Sequence, residues 1–501
     1  MIDSWHPKPG DKFVRRPRVK AHPLRRVLGV FGLFSAGYGN VGSSIYYALG
    51  LVALIALGAT PIVLLIAGIF FIFTALSYAE GTAMIPEAGG SASFARRGFG
   101  DLFGSVAGCA LTFSYIVTIA ISAYTVPSYL GYFWAPLKDS AAVGTIAAMG
   151  VVFFLMWLNV IGVKESSILN IAFAILDVAT QVLIIILAIL FFFAPQPQVF
   201  FQNVVGNWPT TSGWIFGIAM ASLAYTGVET VSQLSEETKR PSVNAPRALM
   251  LMIVVVLVLF SGISVAAFST MTPSELASGW ARDPVAGIAQ GLATTIAPGE
   301  TIAGLFLAAV LKALPILVAV LAATILIIAT NAGLMGVSRL TFALGKFRLI
   351  PSALSGVHSR FKTPYKSIIL FSAVAILLLV PGFFGAGTFA QLGRLYVFGS
   401  LLAFALAHAS ILRLRIRHPE LPRPFKLRGN IKFRGHELPI TAILGLVATS
   451  VIWLMVVITQ PYTRWIGFGW MAFGAIGYFV FRHRNQLPLI RTAREVRTSI
   501  D

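Results

Sequence analysis

The residues able to do chemistry in this chain sit where an ordinary membrane helix would not carry them. Gly37-Tyr38-Gly39-Asn40-Val41-Gly42-Ser43-Ser44-Ile45-Tyr46 lies in the middle of an apolar run from Val27 to Leu57, and Ala221-Ser222-Leu223-Ala224-Tyr225-Thr226-Gly227-Val228-Glu229 interrupts a second run. Glycine weakens helix continuity and small hydroxyls compete for backbone hydrogen bonds, so both runs are expected to break at their centres. Broken backbone at membrane depth is tolerated only inside protein or beside a wet cavity, so paired breaks imply a cavity. A packing face of small residues is the alternative reading of the first stretch. Asp177 and Glu229 join the candidates, because an intramembrane carboxyl is costly unless it is paired or protonated.

Catalytic constellations are missing. His6, His22, His358, His418, His436 and His483 fall in tails or loops, which leaves His408 alone in an apolar segment. Cys109 is the single cysteine, so neither an intrachain disulfide nor a cysteine metal cluster can form. No enzyme, metal or cofactor is expected, and no long soluble region offers a receptor or scaffold.

The elements that must position these residues follow from composition. The chain is 57% hydrophobic and 11% charged, which excludes a water-soluble surface and gives an all-α integral membrane protein. About 12 segments are long enough to cross a ~30 Å hydrocarbon core. They run near 27–57, 61–85, 102–133, 141–161, 166–194, 213–236, 245–270, 312–344, 366–384, 388–412, 438–459 and 463–482. The net charge of +20 would suggest nucleic acid in a soluble protein, yet about 33 of the 38 Lys and Arg fall in the tails or in alternate loops. The charge is therefore topological, with both termini cytoplasmic, no nucleic-acid partner and a multi-pass place in the plasma membrane. The basic loop Arg413 to Arg434 reads as an anchor on anionic lipid. The external loop, roughly 271–311, carries the apolar stretch Val285 to Ile296 as a candidate capping helix.

Interrupted segments 1 and 6 stand five segments apart. Matching interruptions in two halves point to an inverted-repeat transporter with its substrate at the midplane. The expected organisation is a basic N-tail (1–26), a permease domain (27–484) and a C-tail (485–501). Within the permease domain the repeats are 27–194 and 213–412, followed by extra helices over 438–482.

The motifs then become specific. Tyr225-Thr226-Gly227-Val228-Glu229 through Glu236-Glu237-Thr238-Lys239-Arg240-Pro241 resembles the segment 6 signature of the amino acid–polyamine–organocation (APC) permeases. Tyr78-Ala79-Glu80 through Pro86-Glu87-Ala88-Gly89-Gly90-Ser91 is similar to that family's segment 2–3 loop, and Ser338-Arg339-Leu340-Thr341-Phe342-Ala343-Leu344-Gly345 to its segment 8 exit. The resemblance implies a LeuT-type fold of 5+5 inverted repeats with helices 1 and 6 broken, and an amino acid or related amine as substrate. It places the substrate at Gly39, Asn40, Gly42, Ser43, Ser44, Ile45, Leu223, Ala224, Tyr225, Thr226 and Gly227. The amides of Ser43, Ser44 and Ile45 would take a carboxylate, the carbonyls of Leu223, Ala224 and Thr226 an ammonium, and Tyr225 would cover the site as a gate. Ser44 stands where the family usually has a second glycine.

Tyr38-Gly39-Asn40-Val41-Gly42-Ser43-Ser44 also resembles a motif of potassium-uptake permeases of the same fold, with Asn40 in place of an aspartate. Cation uptake is therefore the alternative function. Many proton-coupled relatives carry a lysine at about the place of Asp177, so Asp177 and Glu229 are the coupling candidates. The expected activity is secondary active transport by alternating access, coupled to H⁺ in preference to Na⁺ or run as exchange. The expected partners are the small substrate, the coupling ion and membrane lipid.

Overall fold

Apolar runs of this length satisfy their backbone groups internally, and in the computed structural model they do so as helices. The structure describes residues 26–162, 167–296, 301–361, 363–385 and 387–490. The N-tail to residue 25 and the C-tail from residue 491, both expected to be cytoplasmic, lie outside the described residues.

The first repeat expected from sequence holds α1 (Val30–Val41), α2 (Ile45–Ala56), α3 (Thr60–Met84), α4 (Ser91–Phe99), α5 (Asp101–Leu130), α6 (Pro136–Asp139), α7 (Ala141–Ile161) and α8 (Ser167–Ala188). The region between and after it holds α9 (Pro197–Val205), α10 (Thr211–Ala221), α11 (Glu229–Gln233), α12 (Pro241–Thr270), α13 (Pro273–Ser278) and α14 (Pro284–Thr295). The remainder is α15 (Ile302–Lys346), α16 (Ser352–Ser355), α17 (Tyr365–Leu379), α18 (Thr388–Arg417), the antiparallel hairpin β1 (Asn430–Phe433) and β2 (His436–Pro439), α19 (Ile440–Thr459) and α20 (Pro461–Arg484).

Among the described residues, ten helical stretches are long and apolar enough to cross a membrane. The first, Val30–Met84, is 55 residues long and runs through α1, α2 and α3. At ~1.5 Å per residue it would reach more than twice across a ~30 Å core. It turns at Leu57, whose φ of +45° no ordinary helix residue adopts. Helix α5 is buried along almost its whole length, packs most extensively on α15, and forms the centre of the bundle. Helices α7 and α19 sit outside it and expose Phe153, Phe154, Trp157, Val447 and Leu454 as an apolar periphery. The apolar stretch Val285 to Ile296 does fold almost wholly as a helix, α14.

The ends of the helices are tied by ion pairs. Arg415 grips Glu80 through two of its guanidinium nitrogens, Nε at 2.7 Å and Nη2 at 2.6 Å, and the Leu427 amide adds a bond of 2.9 Å to the same carboxylate. Arg423 lies 3.7 Å from the other Glu80 oxygen. Two cations of the basic loop therefore turn inward to a buried acid, which corrects its reading as a lipid anchor alone. The physical reason is Glu80 itself, a fully buried carboxylate that must be compensated by charge or hydrogen bonds. Asp101 plays the same part for Arg96 (2.9 Å) and Arg482 (2.8 Å), joining α4, α5 and α20.

Candidate functional site

Segment 1 is interrupted but not unwound. Between α1 and α2, Gly42–Ser44 forms a single 3₁₀ turn whose flanking residues keep right-handed helical dihedrals. Its small side chains permit the tighter winding, and the Ile45 amide donates back to the Gly42 carbonyl. That engages one of the three amides expected to be bare, a correction to the role read for Ile45. Gly42 has a further constraint, since a Cβ there would lie 2.5 Å from the folded-back ring of Tyr38.

Segment 6 does break. Helix α10 tightens into a 3₁₀ turn over Ser222–Tyr225, Thr226 is extended at φ −82° and ψ 156°, and Gly227 has φ +108° before α11 resumes. Only glycine takes that φ without strain. The Leu223 carbonyl accepts from both the Thr226 amide (3.3 Å) and the Thr226 hydroxyl (2.8 Å), so its lone pairs are already used. This corrects its assignment as an ammonium ligand. Glu229 closes the break from the far side, its Oε2 accepting from the Gly227 amide at 3.1 Å.

The two interruptions meet. A Cβ on Gly227 would lie 2.8 Å from Asn40 Cγ, so Gly227 gives Asn40 its place. The Asn40 amide donates to Thr230 Oγ1 at 2.8 Å, and the Ser43 hydroxyl donates to the Asn40 carbonyl at 2.9 Å. Ser44 Oγ lies 3.0 Å from Tyr47 Oη. Two acceptors at this meeting point, Asn40 Oδ1 and Glu229 Oε1, are buried and have no hydrogen-bond partner. Gly39, Asn40, Gly42, Ser43, Ser44, Ile45, Leu223, Ala224, Tyr225, Thr226 and Gly227 are all buried, so the meeting point is closed to solvent.

Tyr225 is committed elsewhere. Its hydroxyl donates to the Leu64 carbonyl at 2.9 Å and its ring sits between Phe71 and Phe260, at 5.3 and 5.2 Å between centroids. It therefore packs onto α3 and α12, which corrects its reading as a gate over the segment 1 amides. The cause is Gly68, which leaves room for the phenol (a Cβ there would stand 3.1 Å from Tyr225 Oη).

Asp177 is the centre of a second buried cluster. Tyr38 donates to its Oδ2 at 2.7 Å, Gln181 donates to the same oxygen at 2.8 Å, and Tyr46 donates to Oδ1. Tyr46 is held in turn by the edge of Tyr129, whose hydroxyl donates to the Tyr46 carbonyl at 2.7 Å. Sequence reasoning picked out Asp177 but left Tyr38 and Tyr46 unused, although both stand in the glycine-rich stretch. Their spacing of i and i+8, at ~100° per residue, puts them about 80° apart, within one broad stripe of a helix. Thr230 was also missed.

Glu229 lies within electrostatic reach of three more buried tyrosines, Tyr78, Tyr115 and Tyr396. His408 is a packing residue, between the hydroxyls of Ser77 (2.9 Å) and Thr74 (3.2 Å). Arg394 stacks over Phe216 at 5.5 Å. Its guanidinium thus faces α10.

The chain resembles known transporters along nearly its whole length. It is 27% identical over 493 residues to the methylthioribose transporter of Bacillus subtilis (strain 168), covering 93% of this chain and 96% of that one. Over 484 residues it is 27% identical to the branched-chain amino acid permease BcaP of the same organism, covering 92% and 94%. The glutamate/serine transporter AimA, also from Bacillus subtilis (strain 168), is 24% identical over 516 residues, covering 92% and 88%. The amino acid permease family model matches residues 28–481, a span that takes in both interrupted segments, Asp177 and Glu229, and the chain belongs to the amino acid permease family.

Proposed function

We propose that this multi-pass membrane permease moves an amino acid across the plasma membrane by alternating access between two faces of the segment 1 and 6 meeting point. The observation that carries the reading is the pair of buried, unpartnered acceptors, Asn40 Oδ1 and Glu229 Oε1, on either side of Gly227. Buried acceptors without donors are costly, and an ammonium group supplies donors and charge to both. Once the Gly42–Ser44 turn opens, the substrate carboxylate would take the segment 1 amides of Ser43 and Ser44, and the carbonyls of Ala224 and Thr226 would complete the ammonium site. Counting Val30–Met84 as two crossings and α20 as the last gives twelve, with both termini cytoplasmic and the 5+5 repeat over 27–194 and 213–412. Asp177 would couple the cycle to H⁺.

The same two oxygens fit an inorganic cation, which keeps potassium uptake as the second reading. Relatives named for branched-chain amino acids and for glutamate and serine support the first. Uptake of radiolabelled amino acids or rubidium into proteoliposomes separates them. Saturable leucine, glutamate or serine uptake, driven by an inward pH gradient and abolished by Asp177→Asn, is the expected result. Rubidium uptake with no amino acid uptake would overturn it.

A further inference from the structure

The hydroxyls of Tyr38 and Tyr46 approach the same carboxyl from opposite sides of the Gly42–Ser44 turn, Tyr38 from the helix before it and Tyr46 from the helix after it. Each is held in its pose by a separate neighbour. Phe34 stacks on Tyr38 at 5.5 Å, and Tyr129 meets Tyr46 edge-on at the same distance. Gln181, one helical turn after Asp177, braces both the Tyr38 hydroxyl (3.2 Å) and Asp177 Oδ2. All of these groups are buried except Phe34, which is half-buried. The arrangement is a bracket: one carboxyl on α8 pins the two halves of segment 1 across their only non-α turn.

We infer that Tyr38 and Tyr46 are positioning residues that make Asp177 a latch on the segment 1 turn, closed by the carboxylate and released when the carboxyl takes up a proton. This rests on the reading of Asp177 as the coupling carboxyl and adds how that carboxyl acts on the transport path. A carboxylate accepts only, so it can receive both phenols and the Gln181 amide at once. Uptake of a proton from water turns one oxygen into a donor, and a hydroxyl that was donating to that oxygen must turn or leave. The remaining bonds lose their charge assistance, which roughly halves their strength. The pin across the turn is then weakened on one side, and the 3₁₀ turn beside the substrate amides becomes free to open.

No opposing charge competes for the latch. From α1, α2 and α5 the titratable groups that face Asp177 are Tyr38, Tyr46 and Tyr129. Helices α12 and α15, packed on the same face of the bundle, bring as charged residues Arg247, Lys312 and Lys346, which are exposed, and Arg339, which is paired with Glu237 at 2.7 Å. Helix α14 brings no charged residue within it, and Asp283 at its N-cap, which faces Tyr129, is paired with Lys138 at 2.6 Å. The ligand shell is also wrong for Na⁺ in this conformation, because the Gln181 amide and the hydroxyl protons of Tyr38 and Tyr46 all point at Asp177 as donors.

The test is labelling of Ser43→Cys, buried in the turn, in a Cys109→Ser background reconstituted in liposomes without substrate. A small membrane-permeant thiol reagent is expected to label it several-fold faster at pH 5 than at pH 8. Thiolate reactivity alone gives the opposite pH trend, so an acid-side rise reports opening. Tyr38→Phe with Tyr46→Phe, and separately Asp177→Asn, are expected to label fast at both pH values. Gln181→Leu serves as a milder variant should the double substitution fold poorly. If the tyrosine variants keep the wild-type pH profile while Asp177→Asn loses driven uptake, the latch is wrong and the coupling reading stands. If Asp177→Asn transports like wild type but labels fast at both pH values, the latch stands and the coupling reading fails. A profile flat with pH in the wild type overturns the latch.

Discussion

Asn40 of segment 1 rests against the bare α-carbon of Gly227 in segment 6, so closely that a methyl group at residue 227 would stand 2.8 Å from the Asn40 side-chain carbon. Neither half of the candidate site can be built without the other. Asn40 needs the missing side chain of Gly227 to reach Thr230, and Gly227 needs its φ of +108° to turn the chain from Thr226 into α11. Gly227→Ala is therefore expected to cost about 1–3 kcal/mol of stability through backbone strain, with crowding of Asn40 added. It should abolish substrate uptake while the protein still reaches the membrane. Uptake and surface expression measured side by side check this, and an active Gly227→Ala permease would place the substrate elsewhere.

Ser44 lines the turn with its hydroxyl turned to Tyr47. Ser44→Leu should abolish substrate-induced thermal stabilisation, because a four-carbon side chain fills the space beside the amides of Ser43 and Ser44. Ser44→Gly should keep binding and broaden the range of amino acids accepted, since only the hydroxyl and its bond to Tyr47 are lost. A thermal-shift screen of both variants against the common amino acids decides the point.

The breaks were legible because glycine and hydroxyl residues violate helix propensity in the middle of apolar runs. How deeply each breaks was not. Segment 1 keeps its hydrogen bonds as a 3₁₀ turn, whereas segment 6 loses them, and the difference lies in Thr226 and Gly227, whose dihedrals a residue pattern does not fix. Asp177 stood out as a lone carboxyl in lipid-length sequence. Its partners Tyr38 and Tyr46 were invisible because pairing across more than 130 positions depends on how α8 packs on α1 and α2. Tyr225 looked like a gate by motif, yet Gly68 on α3 gives its phenol a different home. The inward turn of Arg415 was hidden for the same reason: a charge run reads as a solvated face until the buried acid it meets is known.

Glu80 and Arg415 form a buried bidentate pair that fastens the 413–434 segment to α3. Removing one partner strands the other charge, which for buried pairs costs about 3–5 kcal/mol. Glu80→Ala and Arg415→Ala should each lower the thermal unfolding midpoint in detergent, and the double variant should be less destabilised than the sum. A double-mutant cycle with no coupling would show that the Leu427 amide and Arg423 compensate alone.

The orientation of that segment is a separate expectation. With both termini cytoplasmic, Lys432→Cys in a Cys109→Ser background should react with an impermeant thiol reagent only after the cells are opened. Reaction from outside intact cells would invert the topology.

The loop that follows α12 offers a pH-dependent contact with a definite sign. Asp283 precedes α14 and is nearly buried, with Lys138 at 2.6 Å from its Oδ2 and Lys138 itself lying 4.1 Å over the Trp280 ring. Arg282 donates to the Lys138 carbonyl at 2.9 Å, so the stretch from Trp280 to Asp283 is fastened to α6. The same stretch presses on α2, where a Cβ on Gly50 would strike the Ala281 carbonyl oxygen at 2.0 Å. Burial raises the pKa of Asp283 above the usual carboxylate range, and the ammonium of Lys138 pulls it partly back. An acid whose pKa is higher docked than undocked holds its proton more tightly when docked. Docking is therefore most stable at low pH and weakens as pH rises from the ordinary carboxylate range through the raised value, above which it levels. Lys138 limits that loss, so Lys138→Met should push the Asp283 pKa further up and destabilise the docked loop more at pH 7.5 than at pH 4.5. Proteolysis of the 271–296 region in proteoliposomes, compared between wild type and Lys138→Met at the two pH values, gives the measurement. Asp283→Asn should remove the difference between them, and equal cleavage of Lys138→Met and wild type at pH 7.5 would show that Arg282 alone holds the loop.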